Sequence, residues 1–446
     1  MRKYAIIISA IISLLNVSSL ALAQDSLANA TLRWNLQTCL EYAWKNNIQV
    51  KSLQQTQLSN GQDLLLAKAA KLPNLSASVT QTLVHSNNTN PVVGGFQTQA
   101  NLSGNYGLSS NFIVYNGGYL NNDVKQKDLS VKASGLDVQT AMNSITLQIT
   151  QAFLNILLVK ENIVHLKDLL TTSQAQLTQG QQRYDAGSIS RKDFIQLQSQ
   201  VAMDQFNLTY AQNNYRQNLV TLKQVLQLSS EVDFDISAPD TLAISAEIPS
   251  LKDAEQAALQ TRPEIKSAEL GVRIAEVDLQ KSKAGRLPVV SLGASIASGY
   301  SDNQTTKFGS QIDNNFYQRL GLAVSIPIFN NRIAKTNIEL SKIQIEQARL
   351  SLQNTKTTLD QAVEQAYISW SNAQSQFAAA DVQFKTNEES YHITTEQLRL
   401  GAVNMVDLLQ QKTLYIQSLQ LYIQAKYSAI LNQKIFDFYS GVPITL

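Results

Sequence analysis

The chain is written twice. Leu72-Pro73 recurs as Leu287-Pro288, 215 residues on, and Asn47-Ile48-Gln49-Val50-Lys51 recurs at the same spacing as Arg262-Pro263-Glu264-Ile265-Lys266. Farther along, Val114-Tyr115-Asn116 matches Ile328-Phe329-Asn330, and Ala186-Gly187 through Asp193 matches Leu400-Gly401 through Asp407, with the spacing shorter by one. A single-residue length change therefore lies between Pro73 and Val114. A period this long exceeds any solenoid repeat, so the chain reads as one duplicated domain and not as an array.

Each copy follows one order: short helices, a strand pair, then two long helices joined by a turn. The first repeat spans 24–229, with a β-hairpin over about 74–115 and a helical hairpin over about 118–229. The second spans 251–446, with a β-hairpin over about 289–329 and a helical hairpin over about 331–440. Between them, 230–250 carries Pro239 and Pro249 with little periodicity and reads as an irregular connector.

Proline placement fits this map. None of the eight prolines falls between 92 and 238 or between 328 and 442. Because proline costs a helix interior about 3 kcal/mol, two such stretches predict long helices. From Tyr119 to Asp185 such a helix would run roughly 100 Å at about 1.5 Å per residue. Leu359, Val363, Ala366, Trp370, Ala373, Phe377, Ala380 and Phe384 alternate spacings of four and three, which is a heptad seam. Small residues along it let helices approach where the aromatics intercalate.

The strands carry a different period. Leu75, Ala77, Val79, Gln81 and Leu83 alternate with Asn74, Ser76, Ser78, Thr80 and Thr82. Leu102, Tyr106, Leu108, Phe112 and Val114 alternate with Asn101, Ser103, Asn105, Ser109 and Asn111. The second copy repeats this in Val290, Leu292, Ala294 and Ile296, then in Leu320, Leu322, Val324, Ile326 and Ile328. Alternation over about ten residues marks a transmembrane β-strand, one face to lipid and one to water. A half-buried strand of a soluble sheet gives the same pattern singly. Four such runs, paired across the polar loops Ser86–Gln99 and Ser301–Asn315, favour a barrel. Four strands cannot close one, since about eight is the working minimum. The chain must pool strands with further copies of itself.

The compartment agrees. Arg2 and Lys3 precede an apolar run from Tyr4 to Leu15, and Ala21-Leu22-Ala23 places small residues before Gln24. Residues 1–23 read as a secretory signal peptide, with no cysteine after the cut to hold a lipid. Without Arg2 and Lys3 the 36 basic residues fall by two to equal the 34 acidic ones, which removes any electrostatic reason to expect nucleic acid. Cys39 is single and reads as a small buried residue. Past the leader no unbroken apolar run reaches about 18 residues, so membrane entry is expected as a closed barrel.

An enzyme is disfavoured, and no cofactor is expected. His85, His165 and His392 are isolated, and neither a phosphate-binding glycine loop nor a nucleophile elbow occurs. The remaining alternative class is a periplasmic or surface structural coiled-coil protein without channel activity.

Across about Leu32 to Gly441 the chain resembles the TolC-like outer-membrane efflux and secretion factors. The paired Leu-Pro junctions at Pro73 and Pro288 carry the resemblance. So do the paired tips, Tyr184-Asp185-Ala186-Gly187 leading to Asp193, and Leu398-Arg399-Leu400-Gly401 leading to Asp407-Leu408-Leu409. The resemblance implies an α+β membrane protein: a homotrimer with four β-strands per chain completing a twelve-stranded barrel in outer-membrane lipid. Duplicated helical hairpins would form a periplasmic helical barrel. The implied partners are a periplasmic adaptor (membrane fusion) protein and an inner-membrane efflux pump or ABC exporter. The implied cargo is small molecules or secreted polypeptides.

Gly187 and Gly401 interrupt strong helical patterns where a helix-to-helix turn needs positive φ. The family's second tip carries two aspartates three residues apart that ring the tunnel entrance. Asp407 stands at the first position, but Gln410 stands at the second, so at most three charges are expected at this level in a trimer. Asp193 matches the first-copy position implied to hold the closed tip; a solvated helix-start carboxylate is the competing explanation.

Overall fold

The computed structural model describes residues 32–89, 96–239 and 250–444. The leader, Pro91, Pro249 and parts of the first polar loop and the connector lie outside them. In chain order the elements are β1 (Leu32–Trp34), α1 (Leu36–Asn46), α2 (Ile48–Ala69), β2 (Ser76–Thr89), β3 (Phe96–Asn116), α3 (Tyr119–Asp185) and α4 (Arg191–Leu226). There follow β4 (Phe234–Ile236), α5 (Leu251–Thr261), α6 (Pro263–Ala284), β5 (Val289–Ser301), α7 (Phe308–Asn314), β6 (Tyr317–Ser325), α8 (Ile333–Arg399) and α9 (Met405–Tyr439).

The helices of the two copies agree in length almost to the residue. α1 and α5 have 11 residues each, α2 and α6 have 22, α3 and α8 have 67, and α4 and α9 have 36 and 35. Equivalent junctions are nevertheless built with different chemistry. The Asn47 side chain caps α2 by accepting from the amides of Gln49 and Val50, whereas α6 starts on Pro263, whose φ is already helical. The turn from β3 into α3 uses Gly117 and Gly118 at φ 68° and 81°; its counterpart before α8 uses Asn331 and Arg332 at φ 48° and 68°. Pro73 and Pro288 each follow a leucine whose amide closes the last helical turn, Leu72 onto the Ala69 carbonyl and Leu287 onto that of Ala284, both at 2.9 Å.

The strands are less alike. β2, β3, β5 and β6 form one antiparallel sheet in that order, with β2 and β6 as open edges. β3 has 21 residues but β6 only 9. The run expected to continue through Ile328 stops at Ser325, because Pro327 has no amide to give the ladder. At its other end β6 is shortened by α7, a helix inside the loop expected to be plain and polar. Gln311 anchors α7: its amide donates to the Thr306 carbonyl at 2.7 Å and accepts from the Ser301 amide at 2.8 Å. Val114 is the extra residue of a β-bulge between Ile113 and Tyr115, so the alternation expected to include it breaks there. The connector is not wholly irregular, since β4 within it pairs in parallel with β1.

The core lies in the helices. Ile145, Ile149, Phe153 and Ile156 of α3 pack with Leu40 of α1, Leu222 of α4 and Ile423 of α9. One stretch of α3 is long and apolar enough to match a membrane span by length and composition, although its apolar residues are not an unbroken run. These core residues account for its apolar side. Along α8 the expected seam buries Leu359, Val363, Ala366, Trp370, Ala373 and Ala380. Its aromatics meet α9 in a ladder: Trp370 with Phe436 at 5.1 Å, Phe377 with Tyr422 at 5.7 Å, Phe384 with Tyr422 at 5.0 Å and Tyr391 with Tyr415 at 5.3 Å. Such pairs add about 0.5–1.5 kcal/mol each beyond area burial. Cys39 is fully buried, and burial pushes its thiol up to about 12.

Candidate functional site

Both helical hairpins turn by the same device. At the first tip the Gly187 amide donates to the Tyr184 carbonyl at 2.9 Å and the Ser188 amide to that of Arg183 at 2.8 Å. At the second, Gly401 donates to Leu398 at 3.1 Å and Ala402 to Gln397 at 2.8 Å. These are Schellman closures with glycine at φ 74° and 77°, where a β-carbon would be strained. Tyr184 stacks on Phe194 across the first turn, centroids 5.2 Å apart, while Leu398 is half-buried at the second.

The two aspartates occupy the same place in their helices. Ser190 caps α4: its hydroxyl accepts from the Asp193 amide at 3.1 Å and donates to the Asp193 carboxylate at 2.7 Å. Asn404 caps α9: its side chain accepts from the Asp407 amide at 3.1 Å, and the Asp407 carboxylate accepts from the Asn404 amide at 3.3 Å. Each carboxylate is held by one oxygen in the positive end of its own helix. Asp407 remains exposed, as does Gln410, one turn further along α9. Asp193 is half-buried. The sharper role for either residue requires neighbouring copies.

A second polar cluster escaped the sequence reading. Lys412 on α9 and Asp204 on α4 have side chains only 1% and 3% exposed, with Nζ 2.7 Å from Oδ2. The Ser173 hydroxyl of α3 accepts from Lys412 and donates to Asp204, and Gln200 donates to the other Asp204 oxygen at 2.8 Å. Burial lowers the proton affinity of Lys412, and the Asp204 hydrogen bond and charge oppose that. A signal was present: Leu197, Asp204, Leu208 and Ala211 keep core spacing on α4, and Leu408, Lys412, Tyr415 and Leu419 keep it on α9. A charge at a seam position calls for a partner.

One more link joins the copies. Lys426 of α9 reaches both oxygens of Glu161 on α3 at 2.9 Å, and the Tyr427 hydroxyl donates to the same carboxylate at 2.8 Å. Burial and that carboxylate together push the Tyr427 phenol up.

The sheet is two-faced. Cross-strand partners share a face, so Val79, Tyr106, Leu108, Leu292, Ile296, Leu320 and Leu322 lie on one side. Val79, Leu320 and Leu322 on it are 72%, 74% and 66% exposed. The other side carries Ser76, Ser78, Thr80, Ser103, Asn105, Ser109, Ser291, Ser295 and Arg319. A naked apolar sheet face beside a hydroxyl-lined one suits lipid outside and water inside.

A family model described as Outer membrane efflux protein matches residues 39–227 and 255–434. The Outer membrane efflux protein BepC of Brucella suis biovar 1 (strain 1330) is 21% identical over 406 residues, covering 90% of this chain and 84% of that protein. Toxin and drug export protein A of Aggregatibacter actinomycetemcomitans is 24% identical over 172 residues, 39% of this chain and 36% of its own. Among solved structures, the Campylobacter jejuni CmeC outer membrane channel superposes with a TM-score of 0.77 at 18% identity, covering 94% of this chain and 90% of that one.

Proposed function

The chain belongs to the outer membrane efflux protein family, and from that premise we propose that three copies close one conduit from the periplasm to the exterior. Each chain is an outer-membrane efflux channel subunit. The observation that carries the trimeric reading is the open sheet: four two-faced strands whose edges, β2 and β6, have no partner within the described chain. An exposed leucine-bearing sheet with two free edges would aggregate in water. That disfavours a soluble structural coiled-coil protein. Pairing β6 of one copy with β2 of the next in a ring of three would make twelve strands. Twelve lies between about eight strands, which side chains fill, and about 16–18, which leave a wide aqueous channel.

Below the barrel, the α3–α4 and α8–α9 hairpins would assemble into a helical tunnel with the tips at its inner end. There an adaptor protein and an inner-membrane pump or ABC exporter would dock, supplying the energy that the conduit itself does not. Cargo would be small molecules or secreted polypeptides. Asp193, tied to Ser190, would help hold the tips closed.

Oligomerisation is directly testable. Crosslinking of detergent-extracted protein under reducing conditions is expected to give threefold mass, and a stable folded monomer would remove the architecture. At the tips, three Asp407 carboxylates would face one another around the axis and their field would attract cations. Asp407→Asn is therefore expected to weaken block by multivalent cations in single-channel recordings and to reduce cation preference. Unchanged conductance, selectivity and block would reduce Asp407 to the helix cap it forms with Asn404.

A further inference from the structure

Arg319 is the only Lys, Arg, Asp or Glu among the described residues of β2, β3, β5 and β6. It lies on the hydroxyl-bearing face, directly across from Ser295, which is across from Ser109, which is across from Ser76. The Ser76 and Ser109 hydroxyls are 2.9 Å apart. Arg319 is exposed and makes no ion pair among the described residues. The carboxylate that follows β5, Asp302, is engaged elsewhere, accepting from the Leu102 amide at 2.8 Å.

An isolated guanidinium on a membrane strand is expensive on the lipid side, and here it faces the polar side, where the four strands bring no counter-charge. Its strand is the sheet edge. In the trimer proposed above, on which this inference rests, each Arg319 would sit at a seam beside the next copy's β2, and that strand brings no carboxylate either. The ring therefore stays cationic after assembly. A guanidinium offers a planar fork of donors matched to carboxylate, sulfate and phosphate oxygens, and neighbouring hydroxyls add donors without adding charge. We infer that Arg319, with Ser295, Ser109 and Ser76, forms an oxyanion-recognising belt in the barrel, so that the outer part of the conduit favours cargo carrying carboxylate, sulfate or phosphate groups. Its sign is opposite to that of the Asp407 ring proposed for the inner end.

The test uses the full-length protein in planar lipid bilayers under a potassium chloride gradient, at low ionic strength so that wall charges are not screened. Arg319→Gln is expected to shift the reversal potential toward cation preference. It should also raise the half-blocking concentration of inorganic tripolyphosphate, added on the barrel side, by at least about threefold. Arg319→Lys should keep most of the ion preference. Ser295→Asp leaves Arg319 in place but sets a carboxylate across from it, and should reproduce the Arg319→Gln result even if that variant folds poorly. Reversal potential and tripolyphosphate block unchanged in either neutralising variant would overturn the belt. Absence of any current even from Asp193→Asn, in which the Ser190 contact that holds the tip is cut, would instead overturn the conduit reading, and the belt with it.

Discussion

Lys412→Met is expected to destabilise the helical domain by about 3–5 kcal/mol, because it strands a carboxylate rather than because it removes a bond. Asp204, 3% exposed beside Lys412, would be left with only Ser173 and Gln200 to solvate it. Breaking one member of a buried pair removes the Coulomb gain while the desolvation cost of the survivor stays. Replacing both members has a different outcome. Lys412→Met combined with Asp204→Leu deletes both charges from a seam flanked by Leu197, Leu208, Leu408 and Leu419, and should regain most of the loss. The denaturant midpoint of the helical circular dichroism signal of detergent-solubilised protein measures both. Single and double variants that lose equally would mean that the cluster matters for packing volume and not for charge. A single variant as stable as the parent would mean that water reaches Asp204 in the assembled protein.

Ser173, Asp204 and Lys412 also mark where a single sequence stops being readable. Asp204 and Lys412 are 208 positions apart and sit in different copies of the repeat, so heptad spacing flags each as an odd charge without naming its partner. Local features were legible because local physics sets them. Glycine at positive φ placed both tips, proline-free runs placed α3 and α8, and two-residue alternation placed the sheet faces. What depended on hydrogen bonds between distant segments was not legible. β4 is three residues long and exists through pairing with β1, so nothing within 230–250 announces it. The bulge at Val114 is a matter of register between β3 and β5. α7 depends on Gln311, a residue whose side chain could as well have faced solvent in a polar loop. For the tips, the sequence marked Asp193 and Asp407 as equivalent. Their shared capping role follows from Ser190 and Asn404, three residues earlier in each copy.

The sharpest separation of the membrane reading from the soluble one is a neighbouring pair on β6. Leu322 is 66% exposed on the apolar face, opposite Leu292, and Ala323 is on the hydroxyl-bearing face, opposite Ser291. The two positions are adjacent along the strand and so lie at nearly the same depth in any bilayer. Leu322→Arg should destabilise insertion by about 2–4 kcal/mol per chain near the midplane. Because the proposed ring holds three copies, the loss would be about three times that per assembly, enough to abolish the outer-membrane form. Ala323→Arg, on the wet side with Arg319, should insert with little loss and add to the cationic character of the barrel. The readout is the share of trimer in the outer-membrane fraction that survives carbonate extraction, compared between the two variants. Arginine tolerated equally at both positions would show that neither face meets lipid. Equal failure at both would show that the two faces are not divided between lipid and water, and the sheet would then have to find its cover in protein.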